Sequence, residues 1–279
     1  MRMLVIACNG QLGVDVTRYF AKSFEVIAYR DVELDITDEK KISAAFEKDR
    51  PDVVVNCAAI TNVDGCEADP ELAFAVNAKG AGVVARAAQS VGATLVHIST
   101  DYVFDGTASK PYTEADPVCP KSVYGRSKLE GELEVLKACE KFYILRTAWL
   151  YGHAGNNFVK TMLKIGAEKG EVGVVTDQVG NPTSSMELVR IIEAVLKSGR
   201  FGIYHATCEG VCSWNAFARE IFRLAKMEVS VRDITSEQLM RPASRPAYSV
   251  LSKEKLLENC GYRPAQWQAA IAEYFTVQE

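Results

Sequence analysis

A chain of 279 residues, 48% hydrophobic and 24% charged, is long enough for one large domain or for a domain with an added lobe. Thirty-two Lys and Arg against 36 Asp and Glu leave a net charge of -4, which argues for no nucleic acid and no membrane as partner. No apolar run approaches the ~20 residues of a membrane span, and the chain enters a strand directly, so no signal peptide is expected. The eight cysteines, from Cys8 to Cys260, are scattered and form no C-x-x-C pair. Cys208 and Cys212 lack the partners of a zinc set, so no metal site is expected and the thiols read as reduced, structural groups of a cytoplasmic protein. His97 reads as a core histidine within a strand.

Met3 to Ala7 reads as a buried strand, and Asn9 to Gly13 as a tight turn into a helix reaching about Ala21. The spacing Ala7-x-x-Gly10-x-x-Gly13 is one form of the strand–turn–helix phosphate site. There glycine admits a pyrophosphate to the backbone, and the helix N-terminus offers free N–H groups. Alone the pattern is weak, and a tight turn without ligand is the plainer alternative. Glu25 to Tyr29 is a second strand. Arg30 at its end could pair with a 2′-phosphate, which favours NADPH, whereas Asp31 could serve NADH. Asp35 is a candidate for the adenine, and Thr37 or Asp38 for the cap of a helix to about Asp49.

Val53 to Asn56 is the third strand. Ala58 and Ala59 follow it, small enough for a cofactor to lie close by. A long helix opens at Pro70, in which the polar Asn77 ties helix to strand. Thr94 to Ile98 is the fourth strand and leads into Ser99-Thr100-Asp101-Tyr102-Val103-Phe104-Asp105-Gly106. Tyr124 and Lys128, four apart, share one helix face. A phenol of pKa ~10 is a poor acid at neutral pH, and a nearby ammonium lowers it. Such a tyrosine could protonate a carbonyl oxygen as hydride reaches the carbon, with Thr100 hydrogen-bonded to the same oxygen. The plain alternative is a solvated Tyr–Lys pair.

Phe142 to Arg146 is a fifth strand, and Thr147 to Gly152, including Trp149, follows it. The rhythm implies an α/β fold, a doubly wound parallel sheet of Rossmann type whose ligands lie beyond the strands' carboxyl ends. The Gly10 turn, Ala58, Thr100 and Trp149 all fall on that edge. Residues 1–152 are read as the dinucleotide-binding domain. Residues 153–279 are read mainly as a smaller substrate-binding lobe, with some segments returning to the first domain. Arg241 and Arg245, in a Pro-rich loop, are phosphate candidates or parts of a rigid surface loop.

The chain resembles the extended short-chain dehydrogenase/reductases and, within them, the dTDP-4-dehydrorhamnose reductases, over nearly its whole length. The carriers are Gly10 to Gly13, Leu34 to Thr37, Asn56 to Ala59, Ser99 to Gly106, Tyr124 to Lys128, Arg146 to Gly152, Asp177 to Thr183 and Arg245 to Ser249. The Ser99–Gly106 run is specific to this branch; Tyr-x-x-x-Lys is common to the superfamily. The resemblance implies Tyr124 as proton donor, Lys128 on the nicotinamide ribose and Thr100 completing a triad. It places Gly10, Gln11, Leu12, Asp35, Ala58 and Ala59 on the cofactor, and Thr61, Val63, Tyr102, Trp149 and Asn157 near the sugar. Arg245 falls near the nucleotide end. The implied reaction is reduction of a nucleotide-linked 4-keto sugar by NADPH, with NADH also possible, and some relatives form homodimers.

Ala7 departs from the family's first glycine. Related 4,6-dehydratases carry an acid pair after the threonine, and Tyr102 here replaces the second acid. Two other readings stand beside this one. One is a reductase of another nucleotide-4-keto-6-deoxy sugar. The other is an NADP-binding regulatory subunit, similar to that of methionine adenosyltransferase, which needs no turnover.

Overall fold

The strands are runs of apolar residues because both of their faces are covered. In β1 (Arg2–Ile6), Met3 and Val5 point to one helical layer while Leu4 and Ile6 point to the other. β2 (Glu25–Tyr29), β3 (Val53–Asn56), β4 (Thr94–Thr100) and β5 (Phe142–Thr147) continue the sheet. The computed structural model describes residues 1–276. Helices α1 (Gln11–Phe20), α2 (Glu39–Asp49), α3 (Val63–Ala68), α4 (Pro70–Phe74), α5 (Ala81–Val91) and α6 (Val123–Ala138) alternate with these strands. Asp38 caps α2, accepting from Lys41 N–H.

Beyond β5 come β6 (Leu150–Tyr151), α7 (Phe158–Lys169), β7 (Glu171–Val175), β8 (Val179–Gly180), β9 (Thr183–Ser184) and α8 (Ser185–Ser198). Then follow β10 (Gly202–His205), β11 (Cys212–Ser213), α9 (Trp214–Leu224), β12 (Ser230–Ile234), α10 (Ser236–Leu239), α11 (Glu254–Cys260) and α12 (Trp267–Thr276). The main sheet has six parallel strands in the order β10-β5-β4-β3-β1-β2. From β1 the chain steps outward to β2, then returns to the other side of β1 as β3. Strand order therefore reverses between β1 and β3, and a crevice opens at their carboxyl ends.

Five strands are expected of this sheet from the sequence; the sixth, β10, comes from the second half of the chain. Its pairing with β5 is long-range, so local patterning does not disclose it. Helix α8 packs beside α1, burying Leu188, Ile191 and Ile192 against Val16 and Val5. A separate apolar core forms around Phe217, Ile221, Trp267 and Ile271 and includes Val159 of α7. The parallel pair β7–β12 lies beside it.

The helix expected from Pro70 does run to Val91, but it is interrupted by a π-helical turn over Ala75–Gly80. Such turns free side chains for tertiary bonds. Asn77, within it, does not bond to a strand as expected. Its amide exchanges two hydrogen bonds with the Ile60 backbone, at 2.9 and 3.0 Å, and donates to Ser127 Oγ on α6 at 3.0 Å. Helix α6 comes so close here that a Cβ on Gly131 would lie 2.1 Å from the Asn77 carbonyl oxygen. Gly131→Ala is therefore expected to destabilise the protein by about 1–3 kcal/mol, the usual range for overpacking. Urea denaturation of the two proteins measures this, and equal midpoints would refute the contact.

Candidate active site

The cleft begins at the turn after β1. Ala7 takes a left-handed φ of 56°, so the turn keeps its form although alanine replaces glycine. Gly10 N–H closes it on Ala7 O at 3.0 Å, and a Cβ on Gly13 would lie 2.3 Å from that oxygen. No side chain caps α1, so its first N–H groups remain free at the cleft wall. Gln11 donates to Leu150 O at 3.0 Å, while its buried Oε1 has no partner. Across the crevice, Asn56 accepts from Ala58 N–H at 3.1 Å and orders the small residues that follow β3.

The cleft encloses about 430 Å³. It gathers Gly10, Gln11, Leu12, Ala58, Ala59, Thr61, Val63, Thr100, Tyr102, Tyr124, Lys128 and Trp149 along its walls. An uncapped helix end and a row of small residues suit an anionic dinucleotide, and the unpaired Gln11 oxygen can accept from a hydroxyl or amide of such a ligand. Trp149, at φ 49°, stacks on Trp214 with ring centroids 3.6 Å apart. Gly180 backs this wall, where any Cβ would come within 2.7 Å of Trp149.

Thr100 ends β4 and caps the short turn Asp101–Val103, accepting from Tyr102 N–H at 3.2 Å and donating to Asp101 at 3.0 Å. Tyr124 lies in the first turn of α6, beside Thr100 on the cleft wall, and meets Tyr102 edge-on. Burial pushes the Tyr124 phenol well above its ordinary 10; the Thr100 hydroxyl opposes the rise and the Asp101 carboxylate adds to it. This corrects the expectation that Lys128 lowers Tyr124. Lys128 Nζ instead donates to Ile98 O at 2.6 Å, and burial brings its own pKa down to about 8. One turn on, Glu132 takes a bidentate bond from Arg146 at 2.9 and 2.7 Å and accepts from Ser99.

Four expected site residues lie off the cleft walls. Arg30 is exposed and paired with Glu33 at 3.0 Å. Asp35 accepts from Thr37 N–H and Oγ1, both at 2.8 Å, and so holds a turn. Asn157 caps α7 and donates to Gly152 O at 2.8 Å; its neighbour Asn156 faces the cleft. Arg245 forks onto Asp64 at 3.1 and 2.9 Å, with Arg241 at 3.5 Å, which fastens the 241–248 loop to α3. The expected list also omits Asp101, Thr147, Asn156 and Trp214, all on the cleft. Asp101 could have been found, as an acid directly after the key threonine. Trp214 reaches the cleft only through its stack on Trp149, which leaves no local sign.

The Lys128 environment has a pH signature. Its pKa falls from 10.5 to about 8 on folding. Between those values the unfolded chain holds a proton that the folded chain has released, so this group makes stability rise with pH across that window. Below about pH 8 it imposes a constant penalty. The difference in unfolding free energy, wild type minus Lys128→Met, is therefore expected to increase from pH 8 to pH 10. A difference that stays flat would show that Lys128 is not desolvated.

Comparison with known proteins then places the chain. The model of the RmlD substrate binding domain matches residues 1–279. A Bacillus subtilis spore coat polysaccharide biosynthesis protein, SpsK, is 42% identical over 276 residues, covering 98% of this chain and 96% of that protein. The solved dTDP-4-dehydrorhamnose reductase of Clostridium acetobutylicum superposes with a TM-score of 0.96 at 47% identity, over 99% of both chains. The Bacillus anthracis dTDP-4-dehydrorhamnose reductase, solved in complex with NADP, gives 0.97 at 38% identity, over 99% of this chain and 98% of that one. The chain belongs to the RmlD family, with a Rossmann-type fold.

Proposed function

We propose that this chain reduces the C4 keto group of dTDP-4-dehydro-L-rhamnose to give dTDP-L-rhamnose, with NADPH as hydride source and NADH as a possible substitute. The observation that carries this reading is the meeting of Thr100 and Tyr124 on one wall of a cleft whose other end is the uncapped start of α1. It is supported by the two solved relatives named dTDP-4-dehydrorhamnose reductase, one of them holding NADP.

The dinucleotide, when bound, supplies the hydride. Gly10, Gln11 and Leu12 would hold its pyrophosphate, with Ala58 and Ala59 leaving room beside it. Lys128 would hold the nicotinamide ribose. Arg30 is the group for a 2′-phosphate, an exposed guanidinium that can leave Glu33 at little cost. Asp35 stands near the adenosine end. Thr61, Val63, Tyr102 and Trp149 would shape the sugar pocket, while Asn157 sets the loop that presents Asn156. Arg245 would meet a diphosphate only by exchanging Asp64 for it.

Burial keeps Tyr124 protonated, which suits a donor in the direction of reduction. As charge grows on the keto oxygen, the phenol gives up its proton and Thr100 steadies the same oxygen. The absence of a second acid after Asp101 argues against a dehydration. Eight unpaired cysteines fit a reducing compartment, and we assign the chain to the cytosol. Among the described residues, no helix is long and apolar enough to cross a membrane.

The test is NADPH oxidation with dTDP-4-dehydro-L-rhamnose, alongside Tyr124→Phe. The variant is expected to lose at least ~100-fold in kcat, the scale of a missing general acid, with NADPH affinity nearly unchanged. Wild-type-like turnover in the variant would discard Tyr124 as donor. Tight NADPH binding without turnover in the wild type would favour the regulatory-subunit reading.

A further inference from the structure

Asp101 is the titratable group at the cleft that the mechanism above leaves unused. It is 2% exposed and stands beside the two residues that face the keto oxygen. One carboxylate oxygen accepts from Thr100 Oγ1 at 3.0 Å. The Ser249 hydroxyl, itself buried, faces it from the segment after the 241–248 loop. A hydroxyl has one proton and two lone pairs, so the bonds around Thr100 can be counted. With Asp101 ionised, the carboxylate can only accept, and Thr100 must donate to it. One lone pair of Thr100 already takes Tyr102 N–H at 3.2 Å. In this state Thr100 offers no proton to the cleft.

We propose that Asp101 is a positioning residue for the reduction: the proton state of its contact with Thr100 decides whether the Thr100 hydroxyl can donate into the cleft. The competent form carries a proton on Asp101. The carboxyl group then donates to Thr100, whose two lone pairs are filled by Asp101 and Tyr102 N–H. The Thr100 proton is thereby released towards the keto oxygen, or towards the phenolate left on Tyr124. Asp101 keeps its proton throughout, so the proton consumed in each turnover still comes from Tyr124.

The surroundings favour this form. Burial raises the Asp101 carboxyl to about 6, and the neighbouring Ser249 and Thr100 hydroxyls only partly oppose the rise. The titratable groups facing it are the phenols of Tyr102, on its own turn, and Tyr124, on α6; both are raised by burial and stay neutral where Asp101 titrates. Beyond Tyr102 lie Arg245 and Asp64, whose opposite charges are paired.

The proposal rests on the reductase reading, and its test separates the two. Single-turnover NADPH oxidation with the 4-keto sugar is measured from pH 5.5 to 8.5 for wild type, Asp101→Asn and Asp101→Ala. The wild-type rate is expected to fall about tenfold per pH unit once Asp101 ionises. Asp101→Asn, an uncharged donor, is expected to hold a level rate over this range and to exceed wild type about tenfold at pH 8. Asp101→Ala, with no group to titrate, is expected to give a level rate about 100-fold below the wild-type maximum, the scale of one lost transition-state hydrogen bond, with NADPH affinity retained. An Asp101→Asn profile that follows wild type, or one slower at every pH, overturns the proposal. Carboxyl carbon NMR of wild type with labelled aspartate gives a reading independent of turnover and of variant folding. Titration of Asp101 between pH 5 and 8 is expected, and a carboxylate still ionised at pH 4 overturns the assignment. No wild-type turnover would refute the reductase reading, and the NMR titration would then decide Asp101 by itself.

Discussion

The close seating of α6 on the sheet is the constraint on which the site depends. Three contacts between Lys128 and Glu132 enforce it. Lys128 reaches the Ile98 carbonyl, Gly131 admits the Asn77 carbonyl, and Glu132 holds Ser99 and Arg146. Two of these groups are charged and lie in the interior, where an ion without partners costs several kcal/mol. The Glu132–Arg146 pair is acceptable because it is bidentate and Ser99 occupies the same carboxylate. These bonds fix the height and rotation of α6, and Tyr124 on its first turn inherits both.

Burial acts on both ionisable groups that this helix turns to the cleft. It keeps the proton on Tyr124. Lys128 is desolvated, so its ammonium is held less firmly than that of a surface lysine. A group in that condition responds to small changes nearby. The π-helical turn at Ala75–Gly80 serves the same arrangement from the other side, since it turns Asn77 to both the loop after β3 and Ser127. The loop after β3 and helix α6 are thus joined through one amide.

Much of this was legible in the chain. Strands β1 to β5 show as short apolar runs because a sheet covered on both faces needs them, and the Gly10–Gly13 turn shows because only small residues let α1 approach β1. The cleft residues at strand ends follow from the same logic. The role of Lys128 towards Tyr124 did not: a four-residue spacing places two side chains on one helix face but does not say where an ammonium points. Arg30, Asp35, Asn157 and Arg245 make the same point, since each is bonded to a local partner that its position in a motif does not reveal.

The sequence by itself determined the parallel α/β architecture, the tight Gly10–Gly13 turn and the placing of Tyr124 and Lys128 on one helix face, because period, glycine placement and i,i+4 spacing are local properties of a chain. Tertiary structure alone decided that β10 completes the sheet, that Trp214 stacks on Trp149 and that the Asp101 carboxyl group beside Thr100 is buried. Strand pairing, ring stacking and hydrogen-bond direction depend on which distant groups meet in the folded chain and on how much water is removed when they do.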